Sequence, residues 1–190
     1  GDRRTGISLM RQAYPHFMAD GGEDLPVEIL RVIYPLDFWP LITKYASANK
    51  LDPYLIAALM AQESAFDPAI RSSANAVGLM QLLPRTARVW ARKLGLRYSA
   101  SRLIDPEFSV RVGTAYFADL VRQFGGTHFA LAGYNAGENR VVAWKAERKG
   151  LDDDEFIDDI PFPETQTYVK RILGIAEDYR RLYAGKSHPE

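Results

Sequence analysis

Glu63 ends an otherwise apolar stretch, LDPYLIAALMAQESAFDP over residues 51–68, and is the only acid between Asp52 and Asp67. Leu55, Ile56, Leu59 and Met60 fall at helical spacing, so the segment reads as a helix lying deep against a core. A carboxyl group at the end of such a helix loses hydration, which penalises its charged form and pushes its pKa upward. That is the property a general acid working near neutral pH requires. A solvated glutamate at a helix end is the competing reading.

Three further clusters carry side chains that suit a ligand. Gly78-Leu79-Met80-Gln81 offers a soft apolar contact at Met80 and both donor and acceptor at Gln81. Its plain reading is a loop-to-helix junction. Tyr134-Asn135-Ala136-Gly137 puts a phenol and an amide before two small residues, where a ligand can approach the backbone. Against this, Tyr134 also fits a core aromatic and Gly137 a helix end. Phe162-Pro163-Glu164-Thr165, followed by Tyr168-Val169, sets a carboxylate at a helix N-terminus, where simple dipole stabilisation is the alternative role.

The elements that position these groups are helical. Asp52-Pro53 and Asp105-Pro106 each combine a cap with proline at the first helical position. Asp67-Pro68 marks the break after Glu63. Further helices are expected over 39–49, with Leu41, Ile42, Tyr45 and Ala46 inward, and over 84–93, stopped by Gly95. A loop over 96–104 tucks in Tyr98 and Leu103. A helix follows to Phe124, with Phe108, Val112, Tyr116, Leu120 and Phe124 at four-residue steps, ended by Gly125-Gly126. Beyond His128–Gly137, helix is assigned from about Glu138 to Lys149. An acidic patch, DDDEFIDD, leads to a last helix from about Glu164 to Tyr183, with Tyr168, Ile172, Ile175, Tyr179 and Leu182 spaced for burial. β-Branched residues occur singly inside helical periodicity, so the fold is all-α. Upstream, Ile7, Met10, Tyr14, Phe17 and Met18 share one face, and Pro26 starts another short helix. Residues 1–38 read as the tail of a helical layer whose apolar faces imply preceding helices.

Composition narrows the classes. The chain has 190 residues, 47% hydrophobic, enough for one well-buried domain or for one domain plus an appendage. With 24 basic and 24 acidic side chains, nothing argues for nucleic acid as partner. No apolar run approaches the length of a bilayer span. There is no cysteine, which excludes disulfides and thiolate metal sites. His16, His128 and His188 lack ligand spacing, so no metal is expected.

Together, Glu63-Ser64 after an apolar helix, Gly78-Leu79-Met80-Gln81, Tyr134-Asn135-Ala136-Gly137 and the run from Ile160 to Val169 resemble the soluble lytic transglycosylase family, with its goose-lysozyme-like catalytic domain. The resemblance covers roughly residues 39–184; Gly133 stands where the family usually has alanine. It implies a lysozyme-like helical domain over 39–190, preceded over 1–38 by the end of a helical linker. It implies cleavage of the β-1,4 bond between N-acetylmuramic acid and N-acetylglucosamine in peptidoglycan, without water, to leave 1,6-anhydromuramic acid ends. Glu63 would be the catalytic acid, then the base for the C6 hydroxyl. Ser72 would bond the acetamido group or Glu63. Met80 and Gln81 would line the saccharide groove, and Tyr134 would donate to Glu63 or the sugar. Asn135 would tie down its loop, and Glu164 would bond sugar or peptide on the far wall. No cofactor is implied. The partner is the glycan strand, and a periplasmic or cell-envelope location follows from that substrate.

Two other functions fit the same residues. A lysozyme-type hydrolase would need a second acid to activate water, and none is evident near Glu63. A non-catalytic glycan-binding module would be expected to have lost the acid.

Overall fold

The structure, a computed structural model, describes residues 3–14 and 25–185. Among these, ten α-helices and one short 3₁₀ segment account for the regular structure, and the only β pairing is a pair of isolated bridges, Arg71 with Val77 and Val77 with Leu82. His16, Phe17, Met18 and His188 lie outside the described residues.

Helix α4 (Pro53–Ser64) forms the centre. Leu55, Ile56, Ala57, Ala58, Leu59 and Met60 are all buried, so the helix is apolar around its whole circumference, as a fully enclosed helix must be. Asp52 Oδ1 accepts the Tyr54 N–H at 2.9 Å and caps it. The other Asp52 oxygen takes Arg180 Nε at 2.8 Å and Nη2 at 2.5 Å, pinning the start of α4 to the end of α10 (Pro163–Tyr183). These two helices lie against each other along their length, with α3 (Trp39–Ala48) on another side of α4.

The second layer is built on α6 (Pro106–Phe124), capped by Asp105 accepting from Phe108 N at 2.7 Å. It packs against α3, α5 (Pro84–Lys93) and α7 (Thr127–Ala136). Gly113 on α6 faces Met80, and a Cβ added there would lie 2.6 Å from the Met80 Cβ. Ahead of these layers are α1 (Arg3–Ala13) and α2 (Val27–Ile33). Leu30, Ile33 and Tyr34 enter the common core, while Leu9, Val27 and Val32 remain exposed. Tyr34 donates to Asp178 at 2.5 Å and Tyr183 donates to Tyr34 O at 2.8 Å, fastening this segment to α10.

Three sequence expectations change. Helix α4 ends before Asp67-Pro68, because Ala65 and Phe66 both take left-handed backbone, with φ of 49° and 61°. Buried Phe66 anchors that uncommon conformation, and Asp67 instead closes a turn by accepting from Ala69 N at 2.8 Å. The stretch 127–136 is a helix, α7, with its Ala, Leu and Gly face buried. The acidic patch contains a short helix, α9 (Asp153–Asp158), nucleated by a reciprocal capping box between Asp152 and Glu155 and held by buried Phe156 and Ile157. Helix α8 (Glu138–Glu147) lies between the two and stops two residues before Lys149.

Candidate active site

The end of α4, the C-terminus of α7 and the first turns of α10 converge on a cleft with two lobes. One, of about 520 Å³, is lined by Glu63, Gln62, Asn135, Glu164, Tyr168 and Arg171 among others. The other, of about 670 Å³, is lined by Gln81, Leu83, Arg85, Tyr116, Tyr134 and Arg140 among others, and shares Asn135 with the first. The two lobes adjoin at Asn135, at the end of α7.

Glu63 is half-buried, with one edge on the cleft. Burial raises its pKa to about 7, against an opposing hydrogen bond from the Tyr168 hydroxyl to Oε1. Tyr168 is itself buried. Burial first, then the Glu63 charge, push its phenol well above the usual range, so it stays a proton-bearing donor at any working pH. Ser64, next to the acid, shares its hydroxyl between Met60 O at 3.1 Å and Leu79 O at 3.0 Å. The helix end that carries Glu63 is thereby tied to the 78–81 turn.

That turn departs from the sequence expectation. Met80 does not line the groove: it is fully buried against Gly113, because the missing Cβ leaves room for a thioether there. Leu83, 45% exposed, is the apolar side chain that lines the groove instead. Gln81, with φ of 43°, lines the cleft while its amide nitrogen donates to Gly78 O at 3.0 Å and Ile70 O at 3.2 Å, holding the turn closed.

Tyr134 lies on the last turn of α7 and donates to Met80 O at 2.6 Å, not to Glu63. A buried carbonyl in an irregular turn needs a donor, and the phenol supplies it. Burial, and then the neighbouring Glu63 charge, raise the Tyr134 pKa well above the usual range, which places the phenol in the acid's field. Its ring packs on Tyr116 at 5.3 Å. Asn135 Oδ1 accepts from Thr165 at 2.7 Å, so this amide joins the end of α7 to the start of α10.

Ser72 has another partner than expected. Its hydroxyl accepts from Ala76 N at 3.0 Å inside the tight turn closed by the Arg71–Val77 bridge, and it is not among the residues lining either lobe. Glu164 sits in the first turn of α10 as foreseen. It makes no capping bond and is exposed to the lobe that holds Glu63, so a second carboxylate does line the acid's cleft.

Spacing alone assigns Tyr168 to the core and does not disclose its bond to Glu63. The usable signal was its place four residues after Glu164, on the same face of α10. Among the described residues, no group of three or more His, Cys, Asp or Glu side chains could hold a metal ion. His128 is buried against Phe129 and Phe156, 3.3 Å from Asp153, and burial lowers its pKa.

A helical domain enclosing a central apolar helix, with a half-buried acid at that helix's end and a two-lobed cleft beside it, defines a lysozyme-like fold. The chain belongs to the transglycosylase SLT domain family, whose sequence model matches residues 40–157. It is 36% identical over 157 residues to the soluble lytic murein transglycosylase of Escherichia coli K12, a match covering 80% of this chain and 24% of that protein. The chain thus spans about a quarter of the length of that relative. The lytic transglycosylase Slt of Pseudomonas aeruginosa, solved as an inactive mutant, superposes with a TM-score of 0.78 at 33% identity, covering 94% of this chain and 29% of that one. The 70 kDa soluble lytic transglycosylase of E. coli gives 0.79 at 30% identity, covering 94% and 31%.

Proposed function

We propose that this chain carries the catalytic centre of a peptidoglycan lytic transglycosylase, with residues 39–190 as the catalytic domain and residues 1–38 as the end of a helical linker. The observation that carries the reading is Glu63: a carboxyl raised to about 7, opening onto a groove and held by a buried phenol. Family membership supports the same reaction, and the family match begins at residue 40, one residue into α3.

Protonated Glu63 would donate its proton to the glycosidic oxygen as the bond to C1 of N-acetylmuramic acid breaks. N-acetylglucosamine leaves as the free alcohol, and positive charge develops at C1. The C6 hydroxyl of the same sugar attacks C1, and its proton passes to the Glu63 carboxylate. The acid is regenerated, no water is consumed, and a 1,6-anhydro ring remains. Tyr168 stabilises the carboxylate formed between the two transfers. Gln81, Leu83, Asn135 and Glu164 would bind the strand along the groove. Tyr134, Met80 and Ser72 would act through the loops they hold. Substrate of this kind places the protein in the cell envelope outside the inner membrane. Among the described residues, no helix is long and apolar enough to cross a membrane.

Glu164 favours one competing reading, a hydrolase in which a second carboxylate activates water. Digestion of purified cell walls followed by mass spectrometry separates the two, because anhydro products are one water lighter than hydrolysed ones. Hydrolysed ends alone would overturn the transglycosylase reading. No release of muropeptides would leave only a glycan-binding module.

A further inference from the structure

We propose that the outward face of α5 docks the protein on an anionic phospholipid surface. The proposal rests on the reading above for an envelope location, where such a surface is at hand. The chain as a whole balances 24 basic against 24 acidic side chains, yet residues 68–104 contain no acid at all. Arg85, Arg88, Arg92, Lys93 and Arg97 are exposed there, and among the described residues no carboxylate pairs with any of them. Cations on other helices do find carboxylates: Lys44 pairs with Glu107, Arg122 with Asp119 and Lys170 with Asp158. The acids gather instead over residues 152–159, around α9, which packs on α10, whereas α5 packs on α6.

The cations share one side of the helix. At roughly 100° per residue, Arg85, Arg88, Val89, Arg92 and Lys93 fill an arc of about 140°, opposite buried Ala87, Trp90 and Ala91. Lys93 Nζ lies 4.0 Å from the Trp90 ring centre, and the Arg88 guanidinium 5.3 Å from that of Tyr98. Rings that brace these side chains reduce the freedom lost when the face meets a partner. A single-signed patch on the outer side of a helix, outside any enclosed pocket over most of its length, suits an extended surface of opposite charge. Apolar side chains favour lipid over a dissolved polyanion. Val89, in the middle of the cationic arc, is 38% exposed. Ile104 is 44% exposed on the 3₁₀ segment Ala100–Ile104, which packs on α5. A headgroup layer accepts such groups beside Lys and Arg. Among the described residues no helix is long and apolar enough to cross a membrane, so the contact these residues offer is peripheral. Arg85 also lines the lobe that holds Gln81 and Tyr134, so docking holds the cleft beside the bilayer.

The test is sedimentation with vesicles of phosphatidylglycerol and phosphatidylethanolamine in equal parts, against vesicles of phosphatidylcholine alone. The protein should sediment with the anionic vesicles only, and added salt should release it. The triple variant Arg88→Gln, Arg92→Gln, Arg97→Gln should bind on the order of 100-fold more weakly, at about fivefold per cation. A control, Lys50→Gln, Arg122→Gln, Lys149→Gln, removes the same charge elsewhere and should keep most of the affinity. Both should melt near wild type. Equal losses in the two triple variants, full binding by the first, or no binding of wild type to anionic vesicles would overturn the proposal. So would retention of soluble polyphosphate without binding to vesicles, which would assign the patch to a dissolved polyanion. Wall digestion without vesicles tests the reaction separately: vesicle binding without muropeptide release would remove the reaction and support the surface alone.

Discussion

Tyr168 on α10 donates its hydroxyl to Glu63 Oε1 at the end of α4, joining residues 105 positions apart in the chain. The bond favours the ionised acid, whereas burial of the same carboxyl favours the neutral one, and burial prevails. Their balance near neutrality suits a group that must release a proton and then take one back within a single turnover.

Tyr168→Phe removes the stabilising donor and leaves burial unopposed. The Glu63 pKa should rise above about 7, and the descending limb of the pH–rate profile should move to higher pH. The rate should fall by a factor on the order of 10 to 100, as when one positioned donor is lost. A lowered melting temperature with an unmoved pH profile would reduce Tyr168 to packing.

Wild-type activity should decline as pH rises through about 7, where the acid loses its proton before the substrate bond is cut. Stability follows the same sign. The native pKa lies above the usual carboxylate value, so the folded protein binds more protons between about 4.5 and 7 and loses stability across that window as pH rises. Glu63→Gln should abolish muropeptide release. It should also leave the protein more stable than wild type above that window, by on the order of 1–3 kcal/mol, and no more stable below it. Parallel denaturant titrations at acid and alkaline pH measure this difference.

Tyr134→Phe leaves Met80 O buried without its donor. The expected cost is about 1–3 kcal/mol, with activity reduced through disorder of the 78–81 turn. Denaturant unfolding and wall digestion measured together should show both losses. An unchanged midpoint would mean that another donor, such as water, serves the carbonyl.

Gly113→Ala places a methyl group 2.6 Å from the Met80 Cβ and Cγ. A shift of Met80 would be forced inside a packed core, at about 1–3 kcal/mol. Because Met80 O is what Tyr134 binds, activity should fall as well. A double-mutant cycle of Gly113→Ala with Met80→Gly, which removes both contacting atoms, should show costs that are less than additive and so locate the strain in this pair.

Much of the framework is legible one segment at a time. Asp52-Pro53 and Asp105-Pro106 mark true helix starts, since cap and proline act within a single turn. The periodicity of α4, α5, α6 and α10 is long enough to read. Helix α7 is not, because paired glycines at its start and Gly133 near its end weaken the local signal. Helix α9 is missed because its acidic residues mask a capping box whose two buried side chains become apolar anchors only in the folded chain.

The order of residues by itself determined the helices with long periodicity or a cap-and-proline start, that Glu63 ends an apolar helix, and the family to which the chain belongs. These depend on neighbours a few positions away and on motif order. Only the tertiary structure decided who holds the acid. It gave Tyr168 to Glu63 and Tyr134 to Met80 O, sent the Met80 side chain into the core, and brought Leu83, Glu164 and Arg171 to the groove. The reason is geometric: a hydrogen bond across two packed helices depends on their relative rotation and depth, and no local pattern encodes either.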